Sequence, residues 1–105
     1  MHRAATIVVD EDGVRTKTAY VRWMDLAEVR VAAVPACDAP GLDVVFVLLD
    51  RLGRRCVAPC GAAGLLGRLL RLPRFDSEAV VEVLHAQTST ERACWTATID
   101  LRFAG

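Results

Sequence analysis

Apolar and polar positions along the 105-residue chain change period several times, and each change predicts an element. Residues 5–9, "ATIVV", are rich in β-branched side chains and run into "DEDG" at 10–13. Branching at Cβ favours extended backbone, and Asp-Gly after an acidic pair signals a turn. In residues 14–23, "VRTKTAYVRW", Val14, Thr16 and Thr18 alternate with Arg15 and Lys17, and Val21 and Trp23 resume the alternation after Tyr20. A period of two predicts a strand with a bulge near Ala19–Tyr20, hairpin-paired to the first.

Residues 20–31, "YVRWMDLAEVRV", admit two readings. As a helix, Tyr20, Trp23, Met24 and Ala27 form an apolar stripe. The segment continues into "VRVAAV" (29–34), however, and β-branched side chains lose rotamer freedom against a helical turn. The favoured expectation is strand, short bend at Met24–Ala27, then strand, with Trp23 and Leu26 facing the core. "PACDAPGLD" (35–43) has two prolines and a glycine and reads as a loop. "VVFVLLD" (44–50) is apolar on both faces, as in a strand covered on both sides. "RLGRR" (51–55) turns the chain, with Gly53 available for a positive φ, and "RCVAP" returns as a strand that Pro59 ends.

From Ala62 the period becomes helical. "AAGLLGRLLRL" sets Leu65, Leu66, Leu69 and Leu70 on one side and Arg68 and Arg71 mostly on the other, until Pro73 stops the helix. "FDSEAVVEVLHAQ" (75–87) starts a second one, with Asp76 or Ser77 as cap and Val80, Val81 and Leu84 as the expected buried stripe. In "RACWTATIDLRF" (92–103) Ala93, Trp95, Ala97, Ile99, Leu101 and Phe103 alternate with polar positions, which predicts a final strand with one buried face. The sum is a single α+β domain over residues 1–105. It has a mostly antiparallel sheet of about five to six strands, two short helices on one side and a C-terminal strand.

Composition narrows the partners. The chain is 53% hydrophobic and 25% charged, enough apolar matter to bury a core. Its formal net charge is zero, which argues against a nucleic-acid binder. The start, "MHRAATIVVDED", lacks the long apolar centre of an export signal, and no apolar run approaches the roughly 20 residues a membrane helix needs. The expectation is a cytoplasmic protein with no membrane partner, whose cysteines (37, 56, 60 and 94) are reduced thiols.

Charge is unevenly spread. Arg51, Arg54, Arg55, Arg68, Arg71 and Arg74 fall in a segment, 51–74, that has no acid. Converging in space, these six would form an anion- or partner-binding surface for an acidic protein segment, a lipid head group, or the acidic side of another copy. The competing reading is a set of solvated charges. Cys56, Cys60, Cys94 and His85 are the donors a zinc site or an activated thiol would draw on. Their spacing matches no metal or redox signature, and free cysteines also serve as small buried apolar groups. The acids at 10–12, Asp38/Asp43 and Asp76/Glu78 sit where turns and helix starts use carboxylates. "GAAGLLG" (61–67) lacks the ending of a nucleotide-binding loop, and packing against the sheet accounts better for its small residues.

"RWMDLAEVRV", "DAPGLDVVFVLLDRLGRRCVAP", "LPRFDSEAVVEVL" and the late "ACW" together resemble a family of small bacterial proteins. Its members share a Trp-x-Asp-Leu core and a Leu-Pro-x-Phe-Asp helix start. The resemblance covers roughly residues 14–95, is most specific at "LPRFD" (72–76), and implies no activity and no cofactor. A looser resemblance, to bacterial pleckstrin-homology-like domains, rests on the Trp-x-Asp-hydrophobic bend between two strands. The functional expectation is a non-enzymatic interaction or self-association module, dimerising through the edge of strand 92–103. The alternatives are a ligand binder or enzyme using the Cys and His groups, or anion binding at the arginines.

Overall fold

The computed structural model describes residues 7–37 and 39–97. The first two residues of the strand expected at 5–9, Asp38, and the end of the strand expected at 92–103 lie outside the described residues. Among the described residues the protein is α+β, with seven strands and two helices. Its strands form two antiparallel sheets rather than the expected single sheet of five to six strands.

The division arises in residues 14–23. Instead of one bulged strand, the chain reverses: the Thr16 Oγ1 accepts hydrogen bonds from the N–H of Thr18 (3.3 Å) and Ala19 (3.1 Å). The Thr16 N–H donates to the Ala19 carbonyl at 2.8 Å. A hydroxyl that bonds the backbone two and three residues on mimics a turn, so the threonines break the strand that their alternation suggested. Strand β1 (Val8–Val9) therefore pairs with β2 (Gly13–Arg15), and β2 with β3 (Tyr20–Arg22). The first hairpin is held as expected by the acidic turn, where Asp10 Oδ1 accepts from the N–H of Asp12 and Gly13.

The stretch around the first indole resolves as strand, bend and strand. A single 3₁₀ turn, Trp23–Asp25, joins β3 to the long strand β4 (Leu26–Pro35). Leu26 is buried and Trp23 packs half-buried against the core. Strands β5 (Leu42–Asp50) and β6 (Arg55–Pro59) follow as a hairpin, and β7 (Thr90–Thr96) joins the far side of β4. The order in the larger sheet is β6-β5-β4-β7.

Register divides this sheet into two faces. Val29, Leu48 and Cys56 lie side by side across β4, β5 and β6, as do Val31, Phe46 and Ala58. All six are buried in one cluster with Val14 and Val21 of the small sheet and with Leu65, Leu69, Ala79, Val80 and Val83 of the helices. Among the described residues this cluster thus sits on one face, beneath α1 (Leu65–Leu69), α2 (Ser77–Leu84) and the small sheet, while Ala32 and Val47 are the buried residues of the other face.

Four packing details correct the sequence reading. Helix α1 is barely one turn; of the four leucines expected along it Leu65 and Leu69 are buried, while Leu66 and Leu70, the latter just past its end, are exposed. Helix α2 buries Ala79, Val80 and Val83, not the stripe Val80, Val81, Leu84. Its rotation is set by the Asp76 N–H, which donates to the Cys94 carbonyl at 2.8 Å and fixes the helix start against β7. In β7 an irregularity opposite Val29–Arg30 breaks the alternation, so Cys94 is buried and Ala93 exposed. Gly64 adopts φ +80° and no atom crowds the Cβ position of Gly61, Gly64 or Gly67, so backbone shape rather than tight packing accounts for Gly64.

Candidate functional site

The arginines of segment 51–74 fall on the β5–β6 turn, on α1 and in the stretch after α1. Arg51, Arg54 and Arg55 share the β5–β6 turn. Arg54 is committed to Asp50, its Nε 3.0 Å from Oδ2. The Arg51 N–H donates to the Asp25 carbonyl at 2.9 Å, which joins this turn to the 3₁₀ turn, and Arg68 of α1 stacks over the Trp23 ring at 4.7 Å. Trp23 in turn donates its backbone N–H to Asp12 O (3.0 Å) and its indole N–H to Asp10 O (2.8 Å). The acidic turn 10–12 therefore lies against the same indole as Arg68, and Asp25 and Asp50 adjoin Arg51 and Arg54. This end of the molecule mixes both signs instead of being basic. Arg71 follows α1 in an exposed turn. Arg74, with φ +63°, lines a separate cleft of about 260 Å³ with Pro73 and residues 93–96.

Among the described residues the cysteines and His85 do not gather as metal ligands. Cys56 and Cys94 are buried on β6 and β7, opposite edges of the sheet. Three strand spacings of ~4.8 Å put them ~14 Å apart, beyond the reach of one zinc ion with ~2.3 Å bonds. Among the described residues no three His, Cys, Asp or Glu side chains come together as metal ligands would. His85 is exposed at the end of α2, its Nδ1 3.0 Å from the Val81 carbonyl. Burial pushes the Cys94 thiol up to about 12 and raises that of Cys56, the opposite of an activated nucleophile. Half-buried Cys60 lines a largely apolar cleft of about 410 Å³ with Leu42, Val44, Val45, Pro59 and Leu84.

The surface that pattern reading missed is the outer face of the larger sheet. Cross-strand register sets Glu28, Leu49 and Arg55 in one row, Arg30, Val47 and Val57 in the next, and Ala32, Val45 and Pro59 in a third. Val34 and Asp43 form a fourth. None of these residues belongs to the buried core cluster or to the partly buried groups packed against it. Val57 is 44% exposed and Val34 36%, whereas Val47 in the middle is 6% exposed. Along the β7 side Arg30 bridges Glu28 (2.7 Å) and Glu91, and these ion pairs hold its guanidinium charged by raising an already high pKa. The two-sided apolarity of residues 44–50 was the signal for this face. It predicted a covered strand, but both helices of the structure lie on the other side.

The edge of β7 is partly occupied. The 73–76 segment runs along it: Asp76 bonds the Cys94 carbonyl, and the Trp95 indole N–H donates to Pro73 O at 2.9 Å. Strand addition at this end of β7 would have to displace those bonds. Comparison of the chain with protein-family models, with curated proteins and with solved structures finds no match.

Proposed function

We propose that this protein is a non-enzymatic interaction module that self-associates, and that the outer face of the β6-β5-β4-β7 sheet is the surface it uses. The observation that carries this reading is the position of Ala32, Val34, Val45, Val47, Leu49 and Val57 on the face opposite the helices. Antiparallel sheets with one solvated face alternate apolar and polar residues, whereas the central strand β5 is apolar on both faces. An apolar sheet face finds its cheapest cover in another sheet, packed ~10 Å away. This replaces the edge of strand 92–103 as the expected route, because the backbone at Cys94 is already bonded by Asp76.

Buried thiols of raised pKa and the distance of Cys56 from Cys94 weigh against the thiol or metal alternative. The acids around Trp23 weigh against a basic docking site for an acidic partner or a lipid head group. The strand–bend–strand at Trp23 supports a pleckstrin-homology-like reading of the fold; strand β7 after both helices departs from it, and no ligand is carried over from that likeness. Four free cysteines support a reducing, cytoplasmic setting. No helix among the described residues is long and apolar enough to cross a membrane.

Light scattering on the purified protein over a wide concentration range tests the reading, with Val57→Asp as the variant. The mass of the wild type is expected to rise with concentration and that of Val57→Asp to stay monomeric at an unchanged melting temperature. A wild type that stays monomeric at millimolar concentration overturns it.

A further inference from the structure

We infer that the partner of the outer sheet face is a second copy seated by a two-fold axis that crosses β5 between Val45 and Val47, perpendicular to the strands. The inference rests on the self-association reading above and adds its geometry. In a sheet of this register the four outward rows run Glu28–Leu49–Arg55, Arg30–Val47–Val57, Ala32–Val45–Pro59 and Val34–Asp43. A two-fold axis in that position exchanges the second row with the third and the first with the fourth. Val47 then lies over Val45 of the other copy, and Val57 over Pro59. The Arg55 corner of one copy falls beside the Asp43 corner of the other. Ala93 and Glu91, opposite Arg30 and Ala32 on β7, are exchanged in the same way, which brings Glu91 next to Arg30 of the other copy.

The second and third rows thus bring Val45, Val47, Val57 and Pro59 of the two copies together, Arg55 adjoins the partner copy's Asp43, and Arg30, Glu28 and Glu91 form one network, while Leu49 faces Asp43 and Glu28 faces Val34 of the other copy. An axis along β5 parallel to the strands fails this test: it lays Val57 over Arg30 and leaves Asp43 and Arg55 apart. Arg55 and Asp43 are both exposed, so neither is consumed within its own chain's core. Strands of 10, 9, 5 and 7 residues at ~3.3 Å a residue and ~4.8 Å a strand give ~500 Å² a side and ~1,000 Å² for the pair. That falls just below the ~1,200 Å² at which stable interfaces begin, so a weak dimer is expected, in which rim charges tune the affinity measurably.

The test is a charge swap read by sedimentation velocity on the full chain. Arg55→Glu opposes two acids at both symmetric corners and should weaken the dimer about tenfold. The double variant Arg55→Glu/Asp43→Arg should restore it, with melting temperatures unchanged throughout because both positions are exposed. A dimer indifferent to Arg55→Glu, or a double variant that is not restored, overturns this arrangement while leaving self-association standing. A wild type that is monomeric at every concentration overturns both.

Discussion

Gly13 is held to its identity by the approach of two backbones, not by its own conformation. It lies buried in β2 opposite Arg22, and a Cβ there would sit 2.8 Å from the Arg22 Cα and closer still to the Val21 carbonyl oxygen. Backbone cannot step aside as a flexible side chain can, so Gly13→Ala must push β2 away from β3. A cost of about 2 kcal/mol or more is expected in a urea melt, of the order seen when groups are forced into a packed interior. Asp50 is the buried carboxylate of the larger sheet, 5% exposed. Burial would raise its pKa, but the N–H groups of Leu52 (2.9 Å) and Arg54 (2.8 Å) and the Arg54 guanidinium outweigh burial and hold it below the ordinary 3.8. A carboxyl depressed by folding stabilises the native state fully above its unfolded pKa, and that contribution is lost as pH falls through the lower folded value. The melting temperature should therefore fall steeply below about pH 4, and Asp50→Asn should flatten that acid limb while lowering stability at neutral pH. An acid limb of the same slope in the variant would show that Asp50 is not the group responsible.

At the scale of elements, helix α2 depends on one side chain for its start. Asp76 Oδ1 accepts from the Ala79 N–H at 3.1 Å, and Glu78 adds a second negative charge in the first turn. Asp76→Ala should cost about 1 kcal/mol in thermal or chemical denaturation and Asp76→Asn much less, since an amide oxygen still caps. An equal loss in both would place the effect in the charge instead. This cap was legible in "LPRFDSEAVVEVL", as were the acidic hairpin turn, the bend at Trp23 and the β5–β6 hairpin, because each is written in residues adjacent in the chain. The rotation of α2 was not legible: Val81 and Leu84 are as apolar as Ala79 and Val83, and the Cys94 carbonyl that selects between them is 18 residues from Asp76. The split into two sheets was hidden for a related reason. Thr16 and Thr18 satisfy a strand pattern equally well whether their hydroxyls face solvent or close a turn. The six arginines read as a patch because the acids that mingle with them, at 10–12 and at 25, belong to other elements. The outer apolar face could not be assigned from the pattern of β5, which states that both sides want cover without stating what provides it.

Across the whole molecule, one-sided burial has a direct chemical readout in the four cysteines, which sample the surface and the core. Cys37 is exposed in the loop before β5, Cys60 is half-buried at the end of β6, and Cys56 and Cys94 lie in the core cluster beneath the helices. Thiol reagents attack the thiolate, and reactivity requires both ionisation and access. Burial pushes the Cys94 thiol up to about 12, so it is almost wholly un-ionised at neutral pH, and its Sγ–H donates to the Val29 carbonyl at 3.4 Å. Cys56 is held up by burial and relieved only in part by Thr16. The native protein treated with a chromogenic disulfide should therefore release colour in three phases: Cys37 promptly, Cys60 more slowly, and Cys56 with Cys94 only through opening of the core. Adding urea below the unfolding midpoint should accelerate the last phase in proportion to the open population, because those two thiols are reached through loss of the α1, α2 and small-sheet cover. Dimerisation through the outer face should leave the Cys94 rate untouched beyond its effect on global stability, since Cys94 lies on the other side of the sheet from Val57. A Cys94 that reacts as fast as Cys37 would mean that α2 does not sit on β7, and the division of the sheet into a covered face and an open one would fall with it.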